Sequence, residues 1–384
     1  MSNAVALIPR TLFSEEHEIF RRSVRGFLER ECAPHHARWE AQGMVDREAW
    51  QAAGREGLLC MSIASAYGGL GVGKLFSAIL IEELTKLSLS GLAFHIHSEI
   101  VAPYIEIYGT EAQKQAWLPK MATGEAIGAI AMTEPSGGSD LQAMRTTARR
   151  DGDDFILSGQ KTFISNGQLA DVVIVAAKTD PTLGAKGVTL FLVDGKAKGF
   201  ERGRNLKKLG FHAQDTSELF FDEVRLPASS ILGQEGQGFY ALMQQLAWER
   251  MLVAIRATAM CEAALGWTAD YTRGRNAFGK PLLDKQYIRF RLADLKAQTL
   301  LARVFVDRCL ELVLKGELTA EVAAVAKLQT TELQTRLLDE CLQFHGGAGY
   351  MWEYPICRAY ADTRYMRIAG GSNEVMRELI GRTL

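Results

Sequence analysis

Val172-Val173-Ile174-Val175 and Val188-Thr189-Leu190-Phe191-Leu192-Val193 are the two stretches whose reading decides the fold. Both are short β-branched and aromatic runs bounded by Asp, Gly and Pro, the pattern of buried strands. Phe155–Leu157 and Leu219–Phe221 are shorter runs of the same kind. Glycines or prolines at 152, 159, 167, 184, 187, 195, 199, 203, 210 and 227 punctuate the segment at the rhythm of turns. The pattern predicts about seven or eight antiparallel strands over 126–230, arranged as a small β-barrel or sandwich.

On both sides the period changes to that of helices. Ile19, Phe20, Val24, Phe27 and Leu28 follow helical spacing between Ser14 and Arg30, with Ser14 as N-cap and Glu15 and Glu16 in the first turn. Thr110 to Gln113 reads as a capping box for a helix ending near Gly124, and Lys74–Leu87 as another helix. Downstream, Phe239–Arg273, Asp284–Leu314 and Thr319–Gln343 far exceed the ~12-residue mean helix and suggest a bundle that also supplies subunit contacts. The fold class is therefore α+β. It has an N-terminal helical domain (1–125), a middle β domain (126–235) and a C-terminal helical bundle (236–384).

Composition removes several function classes. In 384 residues, 44 Lys and Arg face 45 Asp and Glu, so no basic excess favours nucleic acid or an anionic membrane. No run of ~18 apolar residues predicts a membrane span, and Met1–Arg10 lacks a charged and then apolar signal pattern. Cys32, Cys60, Cys261, Cys309, Cys341 and Cys357 form no CxxC pair and fit no metal site. Most of them read as buried thiols inside helices, which suits a reducing cytoplasm. Glycine is somewhat abundant, 36 residues against 9 prolines.

Four segments and one residue carry candidate chemistry. Met132–Asp140 is a Pro-Ser-Gly-Gly loop after the strand Ala126–Ala131, able to approach a planar polar ligand. Gly159–Gly167 presents a Phe-Ile-Ser strand that can stack on an aromatic ligand. Arg273–Pro281 offers two arginines suited to a pyrophosphate. Gln343–Tyr350 is a glycine-rich turn after a helix, which excludes a Rossmann fingerprint. Each segment also reads as an ordinary turn, hairpin or helix cap. The locally basic run from Lys196 to Lys208 reads as a solvated strand edge, the alternative being a docking place for a nucleotide phosphate. Glu249 stands apart. Its neighbours at helical spacing are Gln245, Leu246, Leu252 and Val253, so its carboxyl should be desolvated and its pKa raised toward that of a general base. The alternative is a pair with an arginine from another helix. His95 and His97 read as satisfied core or surface histidines, the alternative being a place near a substrate cavity.

Taken in order, these segments resemble the acyl-CoA dehydrogenase family over nearly the whole chain. The resemblance runs from Tyr67-Gly68-Gly69-Leu70-Gly71 through Ala131–Asp140, Lys207–Pro227, Arg275–Pro281, Gln343–Tyr350 and Gly371–Arg377. It implies an FAD enzyme in which a base takes the α-proton of an acyl thioester while the β-hydrogen leaves as hydride to the flavin. It implies that Met132, Thr133 and Ser139 line the flavin, with Ser139 also near the acyl-CoA, and that Phe163, Ile164 and Ser165 pack against its rings. Arg275, Gln286 and Gln343 to Gly347, including Gly346, would hold the adenine half across a subunit boundary. Ser372, Asn373 and Glu374 would touch its phosphates and ribityl side. Tyr240, Arg250, Lys186 and Gly371 would contact the substrate.

The glutamate that many members carry near the C-terminus falls on Gly370 here. A smaller subset, including long-chain and isovaleryl enzymes, carries the base where Glu249 stands. The resemblance thus assigns Glu249 as base and the Gly370 backbone N–H, with a ribityl hydroxyl, as the thioester-carbonyl donor. Gly210–Thr216, Tyr350–Pro355 and Gly371–Met376 look most like the long-chain subset. Ser136-Gly137 and Ala64-Ser65-Ala66 depart from the usual pattern without removing a catalytic group. Also implied are a medium-to-long or branched acyl-CoA substrate, fatty acid β-oxidation, a homotetramer built as a dimer of dimers, and an electron-transfer flavoprotein as acceptor. The other readings are an acyl-carrier-protein dehydrogenase and a catalytically silent flavoprotein scaffold.

Overall fold

The computed structural model describes residues 7–384, so the first six residues of the Met1–Arg10 reading lie outside it. The first third is helical: α1 (Glu15–Phe27), α2 (His36–Gln42), α3 (Arg47–Arg55) and α4 (Lys74–Lys86). A single helical turn, α5 (Phe94–Ile96), widens into a π-helical turn at His97–Val101 before α6 (Ala102–Tyr108) and α7 (Glu111–Ala122). The Thr110 capping box forms as the sequence predicts, with Gln113 N donating to Thr110 Oγ1 and Thr110 N to Gln113 Oε1.

The middle third is one eight-stranded sheet: β1 (Gly128–Ala131), β2 (Thr147–Asp151), β3 (Asp154–Ser165), β4 (Val172–Lys178), β5 (Val188–Asp194), β6 (Phe200–Asn205), β7 (Thr216–Pro227) and β8 (Ile231–Leu232). Its strand order is β6-β7-β3-β2-β4-β5-β8, with β1 beside β4. The all-antiparallel expectation needs correction. β1 pairs with β4 in parallel, Gly128 opposite Val172 through Ala131 opposite Val175, and β2 meets β4 in parallel at Thr147 and Lys178. The segment 132–146 carries the chain across without reversing it, so β1, β2 and β4 share one direction. Two of the glycines assigned to turns also lie inside strands. Gly159 sits at a bulge of β3, where a Cβ would come 2.7 Å from Thr146 Cα. Gly203 lies in β6 under the Phe220 ring, 2.7 Å from a Cβ position.

The last third is α8 (Gly238–Gly274), then a short hairpin of β9 (Asn276–Ala277) and β10 (Lys280–Pro281), then α9 (Gln286–Lys315) and α10 (Ala320–His345). Two shorter helices, α11 (Pro355–Thr363) and α12 (Asn373–Gly381), pack on α10. Among the described residues, no helix is long and apolar enough to cross a membrane. The cysteines are free, and five of the six are buried. Cys60 lies in a turn at φ 52° rather than in a helix.

Two packing features matter below. One apolar core joins Val101, Tyr104 and Ile105 to β4, β5 and the start of α8, where all three parts of the chain meet. A buried ionic cluster ties the N-terminal helices to the bundle. Glu82 of α4 is fully buried and meets Arg10 at 2.9 Å, Arg21 at 2.8 Å and Arg303 of α9 at 3.0 Å.

Candidate active site

Glu249 lies on α8 and is 8% exposed. The Tyr104 hydroxyl of α6 donates to its Oε1 at 3.2 Å. Burial pushes the carboxyl up to about 7, against the smaller opposing pulls of Tyr104 and Arg250. That value suits a group that must take a proton near neutrality. No ion pair reaches Glu249 among the described residues, so the local reading of an isolated carboxylate holds. The neighbouring residue fixes the helix. Trp248 Nε1 donates at 3.1 Å to Glu99 on the π-helical turn, and Glu99 also pairs with Lys74 at 2.8 Å.

Gly370 faces the same stretch of α8. A Cβ placed on it would meet only Val253 Cγ2, at 3.7 Å, and Val253 is one turn beyond Glu249. Gly370 and Gly371 have φ of 67° and 85°, a backbone suited to glycine. The turn they form is held from α10. Lys327, fully buried, donates to the Gly371 carbonyl at 2.8 Å and to Asn373 Oδ1 at 2.7 Å. Burial, followed by repulsion from Arg250, lowers the Lys327 pKa to about 8. Asn373 turns its carboxamide inward, to Lys327, Thr331 and Glu332, so its side chain builds the turn rather than facing a ligand. Ser372 caps α12, and Glu374 stands exposed beside it.

A second group forms on the sheet. A register shift in β3 between Lys161 and Ile164 turns Phe163 outward, at φ 61° and 67% exposed. Ile164 instead packs into the sheet core, which divides the Phe163-Ile164-Ser165 trio. The loop after β1 lies alongside this bulge. Thr162 N donates to the Thr133 carbonyl at 2.9 Å, and Lys161 Nζ to the Met132 carbonyl at 3.0 Å. Both contacts pin the loop to β3. Lys161 also forms a fully buried pair with Glu134 at 2.8 Å, and Glu134 accepts from the Arg145 and Thr146 backbone N–H groups. Met132 and Thr133 are half-buried, and Ser139 is exposed on the loop.

A third group gathers at one end of the bundle. Tyr271 of α8 stacks on His345 of α10 with ring centroids 4.3 Å apart, and its hydroxyl donates to the His345 carbonyl. Arg275 follows on one side, Gln343, Gly346 and Gly347 lie on the other, and Gln286 opens α9 nearby. All five are at least partly exposed. Near the start of α8, Tyr240 is exposed, whereas Arg250 is buried with an Nε that finds no hydrogen-bond partner. Lys186 is exposed on the turn that packs against this end of α8.

Comparison with known proteins places this geometry. The chain matches the N-terminal, middle and C-terminal domain models of acyl-CoA dehydrogenases over residues 14–125, 129–224 and 236–384. The chain belongs to the acyl-CoA dehydrogenase family. It is 50% identical to the long-chain specific acyl-CoA dehydrogenase of Sus scrofa over 98% of this chain and 88% of that one. An acyl-CoA dehydrogenase structure from Geobacillus kaustophilus superposes with a TM-score of 0.95 at 46% identity, covering 97% and 98% of the two chains. A glutaryl-CoA dehydrogenase from Mycobacterium smegmatis, solved with FADH2, superposes with a TM-score of 0.91 at 30% identity, covering 100% and 98%.

Within this acyl-CoA dehydrogenase fold, sequence reasoning missed the residues that hold the others. Tyr104, Glu99 and the Lys161–Glu134 pair carry no local signal, because their partners lie far along the chain. Lys327 does carry one. It is the only charge between Val322 and Thr331, the same isolation that singled out Glu249.

Proposed function

We propose that this chain oxidises an acyl-CoA thioester to its trans-2-enoyl form, with Glu249 as the base that takes the α-proton. The observation that carries the reading is the buried Glu249 carboxyl, raised to about 7 and one helical turn before the Val253 that Gly370 lies against. Tyr104 orients the carboxylate, and the Gly370 N–H would donate to the thioester oxygen as negative charge develops there. Lys327 fixes the peptides that present this donor.

The outward Phe163, the pinned Met132–Thr133 loop and the unpartnered Arg250 Nε fit a bound flavin and an acyl-CoA. When bound, FAD supplies the acceptor for the β-hydrogen as hydride. Met132, Thr133, Ser139, Phe163 and Ser165 would hold its ring end. Arg275, Gln286, Gln343, Gly346 and Gly347 would hold its adenine end, and Ser372 and Glu374 the side between. Their exposure suits a site completed by a second copy, as do Phe278 at 97% and Tyr350 at 80% exposed. The same reading takes the assembly as a homotetramer, built as a dimer of dimers, and an electron-transfer flavoprotein as its acceptor. Tyr240, Arg250, Lys186 and Gly371 would meet the substrate. The high identity to a long-chain enzyme supports a medium-to-long or branched acyl chain. Free thiols fit the cytoplasm. Domain limits at 125/126 and 235/236 complete the reading.

Glu249→Gln tests it. The variant should keep its yellow flavin and lose about 10²–10⁴ in kcat on an acyl-CoA panel with an artificial electron acceptor. Near-normal turnover would remove Glu249 as the base, and a wild type without flavin would remove the cofactor assignment.

A further inference from the structure

Arg256 lies seven residues beyond Glu249 on α8, almost two turns further along nearly the same face. Val253 lies between them, half-buried, and packs with Tyr365, Phe211 and Met366. The line Glu249–Val253–Arg256 thus forms one wall, with Gly370 and Tyr365 opposite it. Arg256 is buried at 9% exposure, yet forms no ion pair among the described residues. Its Nη1 meets His95 Nε2 at 3.1 Å and Tyr365 Oη at 3.4 Å, and its guanidinium lies over the Phe211 ring. Its Nε and Nη2 make no side-chain hydrogen bond among those residues. Burial, followed by the Arg256 charge, holds His95 well below its ordinary pKa, so the imidazole stays neutral and brings the arginine no counter-charge. Asp362 is the carboxylate in this neighbourhood. It spends its Oδ1 on the Phe211 N–H at 2.6 Å and feels the Arg256 charge only from beyond ion-pair distance.

A buried arginine with no carboxylate within ion-pair distance is stabilised by an anion that joins it. We propose that Arg256, with His95 and Tyr365, forms a subsite for a carboxylate on the far end of the acyl chain. The substrates favoured would then be CoA monothioesters of dicarboxylic acids. This rests on the reading of Glu249 as the base, since that residue sets where the α-carbon lies. Seven helical residues span about 10 Å, the reach of roughly eight extended carbons, so the carboxylate should sit about that far beyond the α-carbon.

The test compares kcat/KM for the linear dicarboxylic monothioester and the monocarboxylic thioester of equal length, over chains of about eight to fourteen carbons. The ratio is read within one preparation, which cancels losses of yield or flavin. Wild type should prefer the dicarboxylic chain by about tenfold to a hundredfold at the matching length, and Arg256→Met should abolish that preference. Calorimetric binding of the corresponding enoyl products should show the same loss, independently of turnover. If Arg256→Met does not fold, His95→Ala and Tyr365→Phe should each narrow the ratio. A wild type that turns over only monocarboxylic chains, or a ratio unchanged in the variants, overturns the subsite alone. No turnover of either series overturns the underlying reading of the site.

Discussion

At the scale of single residues, the candidate base is set by opposing forces. Burial raises the Glu249 pKa, and the Tyr104 hydroxyl holds it back by donating to the charged form. Removing that donor disfavours the carboxylate, so its pKa must rise further. Tyr104→Phe should therefore move the acid limb of kcat/KM toward alkaline pH by about one unit, at roughly 1.4 kcal/mol per unit. A pH–rate profile checks this, and a limb that stays in place would exclude Tyr104 from tuning the base. The sequence carried half of this balance. The apolar neighbours of Glu249 announced its burial, because they lie within four residues of it. Tyr104 is 145 residues away, and nothing in its own surroundings marks it. His97 matches its reading as a satisfied core histidine, bonded to the Gly128 N–H and the Met121 carbonyl. His95 is satisfied as well, by Arg256, a partner 161 residues along the chain.

At the scale of elements, two buried lysines join pieces of chain that local propensity cannot join. Lys161 ties β3 to the loop after β1 through Glu134 and the Met132 carbonyl. Lys161→Met would strand the Glu134 charge, at a cost of about 3–5 kcal/mol. Thermal melts should show that loss, accompanied by weaker flavin retention, because the loop no longer lies against Phe163. Lys327 ties α10 to the turn at Gly371. Lys327→Met should lower kcat more than it raises KM, because the displaced donor acts chiefly on developing charge. Equal effects on both would reduce Lys327 to a packing residue. The elements themselves were largely legible. Thr110 and Gln113 declare a helix start, and Val188–Val193 declares a strand, through chemistry confined to a few residues. The parallel pairing of β1 with β4 was not legible, because direction depends on how the segment 132–146 crosses the sheet. Gly159 and Gly203 misled for the same reason. Their close neighbours, Thr146 and Phe220, belong to other parts of the chain.

At the scale of the molecule, Glu82 is the junction between the N-terminal helices and the bundle. Its three arginines hold its carboxyl well below the ordinary range despite burial. A depressed carboxyl contributes stability that is complete above the unfolded pKa of about 4.3 and fades as pH falls through the folded value. Glu82→Gln should cost about 3–5 kcal/mol at pH 7 and flatten the decline of the melting temperature below about pH 4.3. Melts across pH check both, and a variant with the wild-type acid profile would assign that decline to other carboxylates.

The same junction bears on how the chain is made. Arg303 follows Glu82 by 221 residues. At about 5–20 residues per second, a ribosome needs roughly 10–45 s to deliver it. Throughout that interval the nascent N-terminal helices carry a carboxylate whose full set of counter-charges has not been synthesised. The N-terminal third should therefore emerge as a collapsed, protease-sensitive intermediate, and stalled chains ending before Arg303 should stay cleavable where released full-length chains resist.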